Sequence, residues 1–435
     1  MSVGKIALAA LGLACGGAVV TASPGLAQQP LAPAGPRALS VSRDEQIALQ
    51  ALQMAAAGPD RMAQDSALAA ARSAARSNEA RYAVASYQIQ IARQRGDAQM
   101  LGQAVDAMAS SGLAGGEEMS SLLANQAARA LQANEYQRAE RLIARATELA
   151  PGNAALLADH AQIRSQQAQA LTRDTRRQAE AQAAFADAVN KLQRAIEIQA
   201  ASGQAVPQSW YLRGLALAND SRLGPQAAAL GRGLVGAYPS PTNWRDALLT
   251  YRQVAAADPA FDLDIRRLIR ASGALAGERD FLDFAKALCS GDAAHCTGNP
   301  GEAKAVLDEG VSRGMLDSTE AQVRAAITAA TRPASTERAG LARQRTQAMA
   351  AATGVAARAA GDASFGHGQY AEAAELYRAA LQKGGEDPNL VNTRLGAALA
   401  LAGRRAEAEA AFRSVTGPRA DLAGFWLAWL SRRPM

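Results

Sequence analysis

From Ser42 onward, apolar and small side chains recur along the chain at intervals of three and four residues. One such run consists of Tyr136, Ala139, Ile143 and Ala146, and Pro151 follows five residues later. Steps of three and four place side chains on one face of an α-helix, whereas strands alternate with a period of two. The sequence contains no sustained period-two stretch rich in Val, Ile and Thr. The pattern therefore predicts an all-α fold.

The same run of positions returns further along the chain. It occurs at Trp244, Ala247, Tyr251 and Pro259, and again at Tyr370, Ala373, Tyr377 and Ala380. Ala408 and Phe412 repeat only the central positions of the pattern. A small Ala allows a neighbouring helix to approach closely, and the larger side chain one turn later fills the remaining space. A proline after the run ends the helix and begins the next one. These positions therefore predict packed pairs of helices.

This pattern resembles the second helix of a tetratricopeptide repeat (TPR). The resemblance is clearest within residues 354–417. The matching positions there are Gly361, Gly368, Tyr370, Ala373, Tyr377, Ala380 and Leu381 in one repeat, and Gly396, Gly403, Ala408 and Phe412 in the next. Gly361 and Gly396 lie 35 residues apart, close to the family period of about 34 residues. Residues 120–151 and, more loosely, residues 210–259 form two further units.

The resemblance implies a right-handed α-solenoid of antiparallel helix pairs, in which some repeats are degenerate. One or two long helices are expected within residues 160–203, which contain no Pro and no Gly before Gly203. Between Trp210 and Trp244 the chain is longer than the family pattern, so a loop or distortion is expected there. The alternative to a repeat architecture is a generic Ala-rich helical bundle.

These signals divide the chain into five expected parts. They are a signal peptide (1–27), a disordered Pro/Ala-rich linker (28–41), N-terminal TPR-like repeats (42–205), central degenerate repeats (206–345), and C-terminal repeats with a capping helix (346–435). The last segment contains Phe425, Trp426 and Trp429. Such a helix is typical of a cap that closes the apolar end of a repeat stack, and an amphipathic contact with a partner or membrane is the alternative.

The N-terminus has the order of a secretory signal. Lys5 supplies a positive charge, residues 6–20 are apolar, and Gly25-Leu26-Ala27 resembles a cleavage site. The apolar run is shorter than the roughly 20 residues that span a bilayer. We therefore expect a periplasmic chain without a stable transmembrane segment, with possible peripheral association with the envelope. An uncleaved anchor and a lipid anchor at Cys15 remain alternatives.

In an exported chain, the closely spaced Cys289 and Cys296 predict a disulfide. Zinc is the alternative, but a metal site needs further ligands, and the neighbourhood offers only Asp292 and His295. The sequence therefore predicts a disulfide and no metal site.

No other group of residues indicates catalysis or a cofactor. Residues 231–236 fit the string G-x-G-x-x-G, but the dinucleotide motif needs a preceding strand, and the preceding residues look helical. We expect an inter-helix turn there. His160, His295 and His367 have no second ligand at a convincing metal spacing, and neither H-E-x-x-H nor G-x-S-x-G occurs. No catalytic, cofactor-binding or metal-binding residue is predicted.

The formal net charge of +6 is mild for 435 residues and does not favour a nucleic-acid partner. Arg266, Arg267 and Arg270 share a predicted helix face, and we call them the basic strip. They are candidates for contact with an acidic peptide or anionic envelope polymer, and a solvated face is the alternative. TPR solenoids commonly hold a peptide or protein segment in a concave groove. The resemblance thus implies a scaffold or adaptor for protein–protein interaction in cell-envelope assembly, secretion or polysaccharide export. The rival hypothesis is an enzyme or enzyme subunit acting on an envelope polymer.

Overall fold

The computed structural model describes residues 41–255, 258–290 and 296–432. These residues form twenty α-helices and two short 3₁₀-helices, with no strand among them. The predicted all-α class is therefore confirmed. The expected signal peptide and most of the expected linker lie outside the described residues. Within the described ranges, no helix is both long and apolar enough to cross a bilayer.

The chain forms two compact units that divide between Ile198 and Gln199. The helices of the first unit are α1 (Arg43–Ala57), α2 (Arg61–Ala74), α3 (Asn78–Arg95), α4 (Ala98–Ser110), α5 (Gly116–Gln132), α6 (Tyr136–Leu149), α7 (Ala154–Leu171) and α8 (Gln178–Ala201), whose last residues pass the division. A 3₁₀-helix (Thr175–Arg177) precedes α8.

The second unit contains the remaining helices. They are α9 (Gln208–Asp220), α10 (Gly224–Ala237), α11 (Pro241–Val254), α12 (Pro259–Ala271), α13 (Glu278–Leu288), α14 (Pro300–Ser312), α15 (Ala321–Ala350), α16 (Gly354–Gly366), α17 (Tyr370–Lys383), α18 (Pro388–Leu401), α19 (Arg405–Arg413) and α20 (Ala420–Ser431), with a 3₁₀-helix (Gly417–Arg419) before α20. The boundary expected at residue 345 falls inside α15, and the whole of this unit is compact.

Helix starts follow from local capping chemistry. Ser42 and Glu45 form a reciprocal capping box at the start of α1. Five α-helices of the second unit have proline in their first turn, where a missing N–H costs nothing: Pro225, Pro241, Pro259, Pro300 and Pro388. The proline that follows one helix of the repeat pattern thus begins the next helix.

Short turns join most successive helices, and neighbours in sequence pack against each other, which makes them antiparallel. Two of these contacts depend on glycine. A Cβ atom on Gly361 would lie 2.8 Å from the Tyr377 ring, and one on Gly396 would lie 2.5 Å from the Phe412 ring. Such distances are below van der Waals contact, so the absence of a side chain lets the aromatic ring of the next helix rest on the backbone.

The string at residues 231–236 lies inside α10, so the expected inter-helix turn is wrong. Its glycines serve close packing, because a Cβ on Gly231 would lie 2.8 Å from Phe425 and one on Gly233 would lie 2.6 Å from Tyr211. The extra chain length between Trp210 and Trp244 likewise forms a complete helix where a loop or distortion was expected.

Two long helices do occupy most of residues 160–203. Helix α7 has 18 residues and α8 has 24. Asp174 separates them by accepting a hydrogen bond from the Arg176 backbone N–H at 3.0 Å, which caps the intervening 3₁₀-turn. The longest helix, however, is the 30-residue α15, which continues through Pro333. Proline removes one backbone hydrogen bond there, and the flanking Ala, Arg and Gln residues are strong helix formers.

The two units have differently organised cores. The first contains separate clusters between successive helices, such as those around Leu52, Ile89 and Ile143. The second contains one continuous cluster that extends from Ala228 to Leu430. The core of the second unit therefore joins its first helices to its last.

Candidate partner-binding surface

A buried carboxylate gathers three arginines in the second unit. Asp264 of α12 accepts hydrogen bonds from Arg267 Nη1 at 3.0 Å, Arg394 Nε at 3.1 Å and Arg419 Nη1 at 2.6 Å. Burial alone would raise the pKa of Asp264, but the three guanidinium groups outweigh it and lower that pKa below its ordinary value. Asp264 is therefore a fixed anion that links α12, α18 and the turn before α20.

Two further carboxylates extend this ion-pair network. Glu302 of α14 accepts from Arg267 Nη2 at 2.7 Å. Asp362 of α16 accepts from Arg394 Nη1 at 2.7 Å and from the Tyr377 hydroxyl at 2.8 Å. All five of these side chains are buried. Groups buried to this degree need such partners, because an unpaired charge away from water is strongly destabilising. The network thus stabilises the packing of five helices.

The structure places the basic strip within this packing. Arg267 is 5% exposed and belongs to the network just described. Arg266 Nε donates to Asp262 at 2.7 Å, and Arg270 Nε donates to Glu309 at 2.6 Å. Each arginine already has a carboxylate partner, so the three do not form a free basic surface.

The C-terminal helix is also occupied by internal contacts. Phe425 packs against Tyr251 of α11 with ring centroids 5.5 Å apart, and Trp426 stacks on Phe412 of α19 at 5.7 Å. Trp429 Nε1 donates to a backbone carbonyl of α12 at 3.2 Å. Helix α20 thus packs on helices from both ends of the second unit, which goes beyond capping the last repeat.

An open groove remains between α13 and the N-terminal half of α15, with α14 behind it. Its volume is about 870 Å³, and we call it the α13–α15 groove. Leu282 provides apolar surface, with the buried Leu307 at the base, and α15 contributes the alanines Ala321, Ala325, Ala326 and Ala329. Because an alanine side chain ends at Cβ, these four residues fill little of the space beside α13.

A disulfide fixes one end of this groove. Cys289, which lines the groove, is bonded to Cys296, as the sequence predicted. The backbone N–H of Asn299 donates to the Leu288 carbonyl at 2.7 Å beside it. Both contacts hold the end of α13 against the segment that leads into α14. Asp292 and His295, considered as metal ligands in the sequence, lie outside the described residues.

The rim of the groove is positively charged. Lys286 and Arg324 are exposed and line it. Neither has an ion-pair partner within the described ranges. The one acid in the lining, Asp283, faces Arg279 at 3.5 Å. An apolar floor with a cationic rim suits an amphipathic segment that carries acidic side chains.

The first unit contains a smaller opening of about 460 Å³ at the start of α6. It is lined largely by polar groups, and the Tyr136 hydroxyl donates to Asn134 Oδ1 there at 2.9 Å. Tyr136, assigned to repeat packing in the sequence, therefore borders this opening, whereas Ala139 behind it has no exposed surface.

Two histidines have structural surroundings that sequence alone did not indicate. His160 is buried, with Nδ1 3.4 Å from the Thr147 hydroxyl, and burial followed by the charge of Lys191 lowers its pKa to about 4. His367 Nε2 lies 2.9 Å from a carboxylate oxygen of Glu337. In the part of the chain that the structure covers, no three His, Cys, Asp or Glu side chains are grouped to hold a metal ion.

Comparison with known proteins gives no family assignment. No protein-family model matches the chain, and no curated protein matches it. Among solved structures, the chain is similar to one in the crystal structure of the APC/C hetero-tetramer Cut9-Hcn1. The two are 13% identical over 90% of this chain and 91% of that chain, with a TM-score of 0.20. A likeness at this TM-score supports no conclusion about function.

Proposed function

We propose that this protein is a scaffold or adaptor of a bacterial periplasm, and that it holds a segment of a partner protein in the α13–α15 groove. The observation that carries the proposal is the groove itself. It is open, has apolar side chains in its floor and has a volume of about 870 Å³. Apolar surface left uncovered at such a site favours association, because a partner removes it from water.

Rigid surroundings support this role. The disulfide at Cys289 holds the end of α13, and the ion pair between Glu302 and Arg267 holds α14, which lies behind the groove. A groove that already has its bound shape loses less conformational entropy when a partner enters. A repeat fold with fixed helix positions thus provides a suitable docking surface.

The proposed compartment rests on two features. The Cys289–Cys296 disulfide belongs to an oxidising environment. The N-terminal order of Lys5, an apolar run and Gly25-Leu26-Ala27 is that of an export signal. Within the periplasm, the protein would serve envelope assembly, secretion or polysaccharide export by bringing a partner into place.

Quantitative affinity capture from a bacterial host that exports the full chain tests this function. We expect wild type to recover a defined partner, and Ala325→Trp to recover much less of it, because Ala325 is exposed and lines the groove that tryptophan would fill. Ala183→Trp, at an exposed position of α8, is the matched control and should behave like wild type. Equal recovery of the partner by all three proteins would exclude the groove as the binding site. Turnover of an envelope polymer by the pure protein would favour an enzyme instead of a scaffold.

The compartment is tested separately by mass spectrometry of the protein from the same host. A mature chain that begins at Gln28 and is released with the periplasmic fraction is the expected result. An intact Met1, or a lipidated Cys15 at the new N-terminus, would contradict the proposed processing.

A further inference from the structure

Helix α15 carries an unusual concentration of unpaired charge. Its five arginines are Arg324, Arg332, Arg338, Arg343 and Arg345, and all five are exposed. None of them has a hydrogen-bonded or ion-paired carboxylate among the residues that the structure describes. By contrast, every arginine between residues 354 and 413 pairs with a carboxylate.

The one acid of α15 does not compensate these charges. Glu337 accepts a hydrogen bond from the backbone N–H of Gly301 at 3.1 Å and lies 2.9 Å from His367 Nε2. Its carboxylate is therefore directed to α14 and to the turn after α16. Five arginines against one glutamate leave the helix strongly cationic. This excess of positive charge attracts an anionic group.

Helix geometry connects these arginines to the α13–α15 groove. Arg324 lines the groove directly. Arg332 follows the groove residue Ala325 by 7 residues, and Arg343 follows it by 18 residues. At 3.6 residues per turn these steps are about two and five turns, so both arginines lie on the side of α15 that faces the groove. The stretch from Ala325 to Arg343 is about 27 Å long at 1.5 Å per residue.

We call Arg324, Arg332 and Arg343 the arginine face. We propose that the arginine face and the α13–α15 groove form one docking surface for an acidic amphipathic helix of a partner protein. This inference rests on the proposed scaffold function and names the partner's chemistry. The partner's apolar side chains enter the groove against Leu282 and Ala325, and its carboxylates pair with the arginine face. Carboxylates bound by guanidinium form charge-assisted hydrogen bonds, which are stronger than neutral ones.

The apolar groove favours a protein segment over a simple polyanion. A polysaccharide or phosphate polymer would neutralise the arginines but would leave Leu282 and the alanines of α15 uncovered. A membrane surface is too broad to enter a space between two helices. An amphipathic helix covers both parts of the surface, because its apolar and acidic side chains repeat at the same helical period.

Fluorescence anisotropy with synthetic peptides tests the proposal on the full mature chain. The probe is a labelled 18-residue amphipathic peptide of Leu and Glu, and a matched peptide of Leu and Lys is its control. We expect the Leu/Glu peptide to bind and the Leu/Lys peptide not to bind. The triple variant Arg324→Glu, Arg332→Glu and Arg343→Glu should weaken binding at least tenfold, and so should Ala325→Trp.

The matched control variant is Arg141→Glu, Arg173→Glu and Arg222→Glu. These arginines are also exposed and without a partner among the described residues, so the variant changes the net charge equally. It should bind the Leu/Glu peptide as wild type does. Equal weakening by both triple variants would overturn the proposal, because only the overall charge would then matter.

Polyglutamate and vesicles of anionic phosphatidylglycerol test the two alternative ligands, a simple polyanion and a membrane surface. Binding of either one as tight as that of the Leu/Glu peptide, and unaffected by Ala325→Trp, would overturn the proposal in favour of a polyanion or membrane. Absence of Leu/Glu binding would also overturn it. Affinity capture separates this failure from that of the scaffold function. If the arginine-face variant still recovers the wild-type partner, the protein is a scaffold but does not use this surface. If neither wild type nor the variant recovers a partner, the scaffold function itself is wrong.

Discussion

At the scale of single residues, Asp264 is the carboxylate that joins three buried arginines of the second unit. Its carboxylate accepts from Arg267, Arg394 and Arg419, and all four residues are buried. Asp264→Asn leaves three buried guanidinium groups without their shared anion. We expect a loss of about 3–5 kcal/mol in the free energy of unfolding, measured by urea denaturation.

The control for this prediction is Asp308→Asn. Asp308 is exposed and pairs with Lys304 at 2.6 Å on the surface of α14, where an ion pair contributes less than about 1 kcal/mol. Similar urea midpoints for the two variants would show that the buried network does not stabilise the unit.

His160 gives the first unit a dependence on acid. Its pKa is about 4 in the folded protein against an ordinary 6.5, so the unfolded chain binds a proton before the folded one does. Stability is therefore complete above about pH 6.5 and falls as the pH drops toward 4, by about 2–3 kcal/mol. His160→Gln removes this titration. Urea denaturation at pH 7.5 and 4.5 should show a larger loss for wild type than for the variant, and parallel losses would contradict the assignment.

At this scale, positions within one helix could be predicted from the sequence, but contacts between residues far apart in the chain could not. The alanines at 139, 373 and 408 were identified from helical spacing, and each has no exposed surface. The partners of Arg267 gave no such signal. Asp264 lies within one helical turn of Arg267, but Glu302 is 35 residues away from it. Arg419, which also donates to Asp264, lies 155 residues after that aspartate. A charge pattern on one helix therefore could not distinguish a free strip from a buried network.

At the scale of helices, glycine positions determine how closely pairs pack. Gly396→Ala would place a Cβ 2.5 Å from the Phe412 ring, so α18 and α19 must move apart. We expect a loss of about 1–3 kcal/mol in unfolding free energy. Thermal and urea denaturation of the full chain measure it.

Gly340→Ala in α15 is the matched control. A Cβ at Gly340 meets only the flexible end of Gln344 at 3.5 Å, an ordinary contact. Alanine is the better helix former, so this change should stabilise by up to about 1 kcal/mol. Destabilisation of equal size by both changes would contradict this account, because helix propensity alone favours alanine at both positions and only Gly396 has a close contact.

Helices and their prolines were only partly predictable. Proline in the first turn of a helix, as at Pro259 and Pro388, follows a local rule and could be recognised. Pro333 is an exception to that rule, because it lies inside α15. Helix α15 packs against both α14 and α16, and these contacts support one continuous helix. The glycines at 231 and 233 were assigned to a turn for a similar reason. Their close contacts involve Phe425 and Tyr211, which no local pattern connects to them.

At the scale of the whole molecule, the disulfide links stability to the proposed docking surface. It closes a small loop and holds the end of α13, whose Cys289 lines the groove. Replacing both Cys289 and Cys296 by Ser should lower the unfolding free energy by about 2–3 kcal/mol, because the unfolded chain gains freedom. It should also weaken partner capture. Wild-type protein treated with reductant should match the variant, and unchanged stability in both would contradict this role.

The fold class was accessible from spacing alone, whereas the arrangement within the second unit was not. Helical periodicity, helix breakers and the lack of period-two stretches act locally, and they predicted an all-α chain of packed helices. The return of α20 onto α11 and α12 depends on Phe425 and Trp429 meeting residues more than 150 positions earlier. The groove could not be predicted either, because its lining combines residues of α13 and α14 with small side chains of α15.

The central claim is that a partner protein occupies the α13–α15 groove, and site-specific photo-crosslinking in the exporting host tests it most directly. A photoreactive amino acid replaces the exposed Gln322, whose long side chain already lines the groove, or, as the control, the exposed Gln182 of the first unit. The account predicts a discrete adduct with one protein from position 322 and none from position 182. It also predicts that the adduct from 322 disappears when Arg324, Arg332 and Arg343 are all changed to Glu. No adduct from 322, or the same adduct from both positions, would contradict the account.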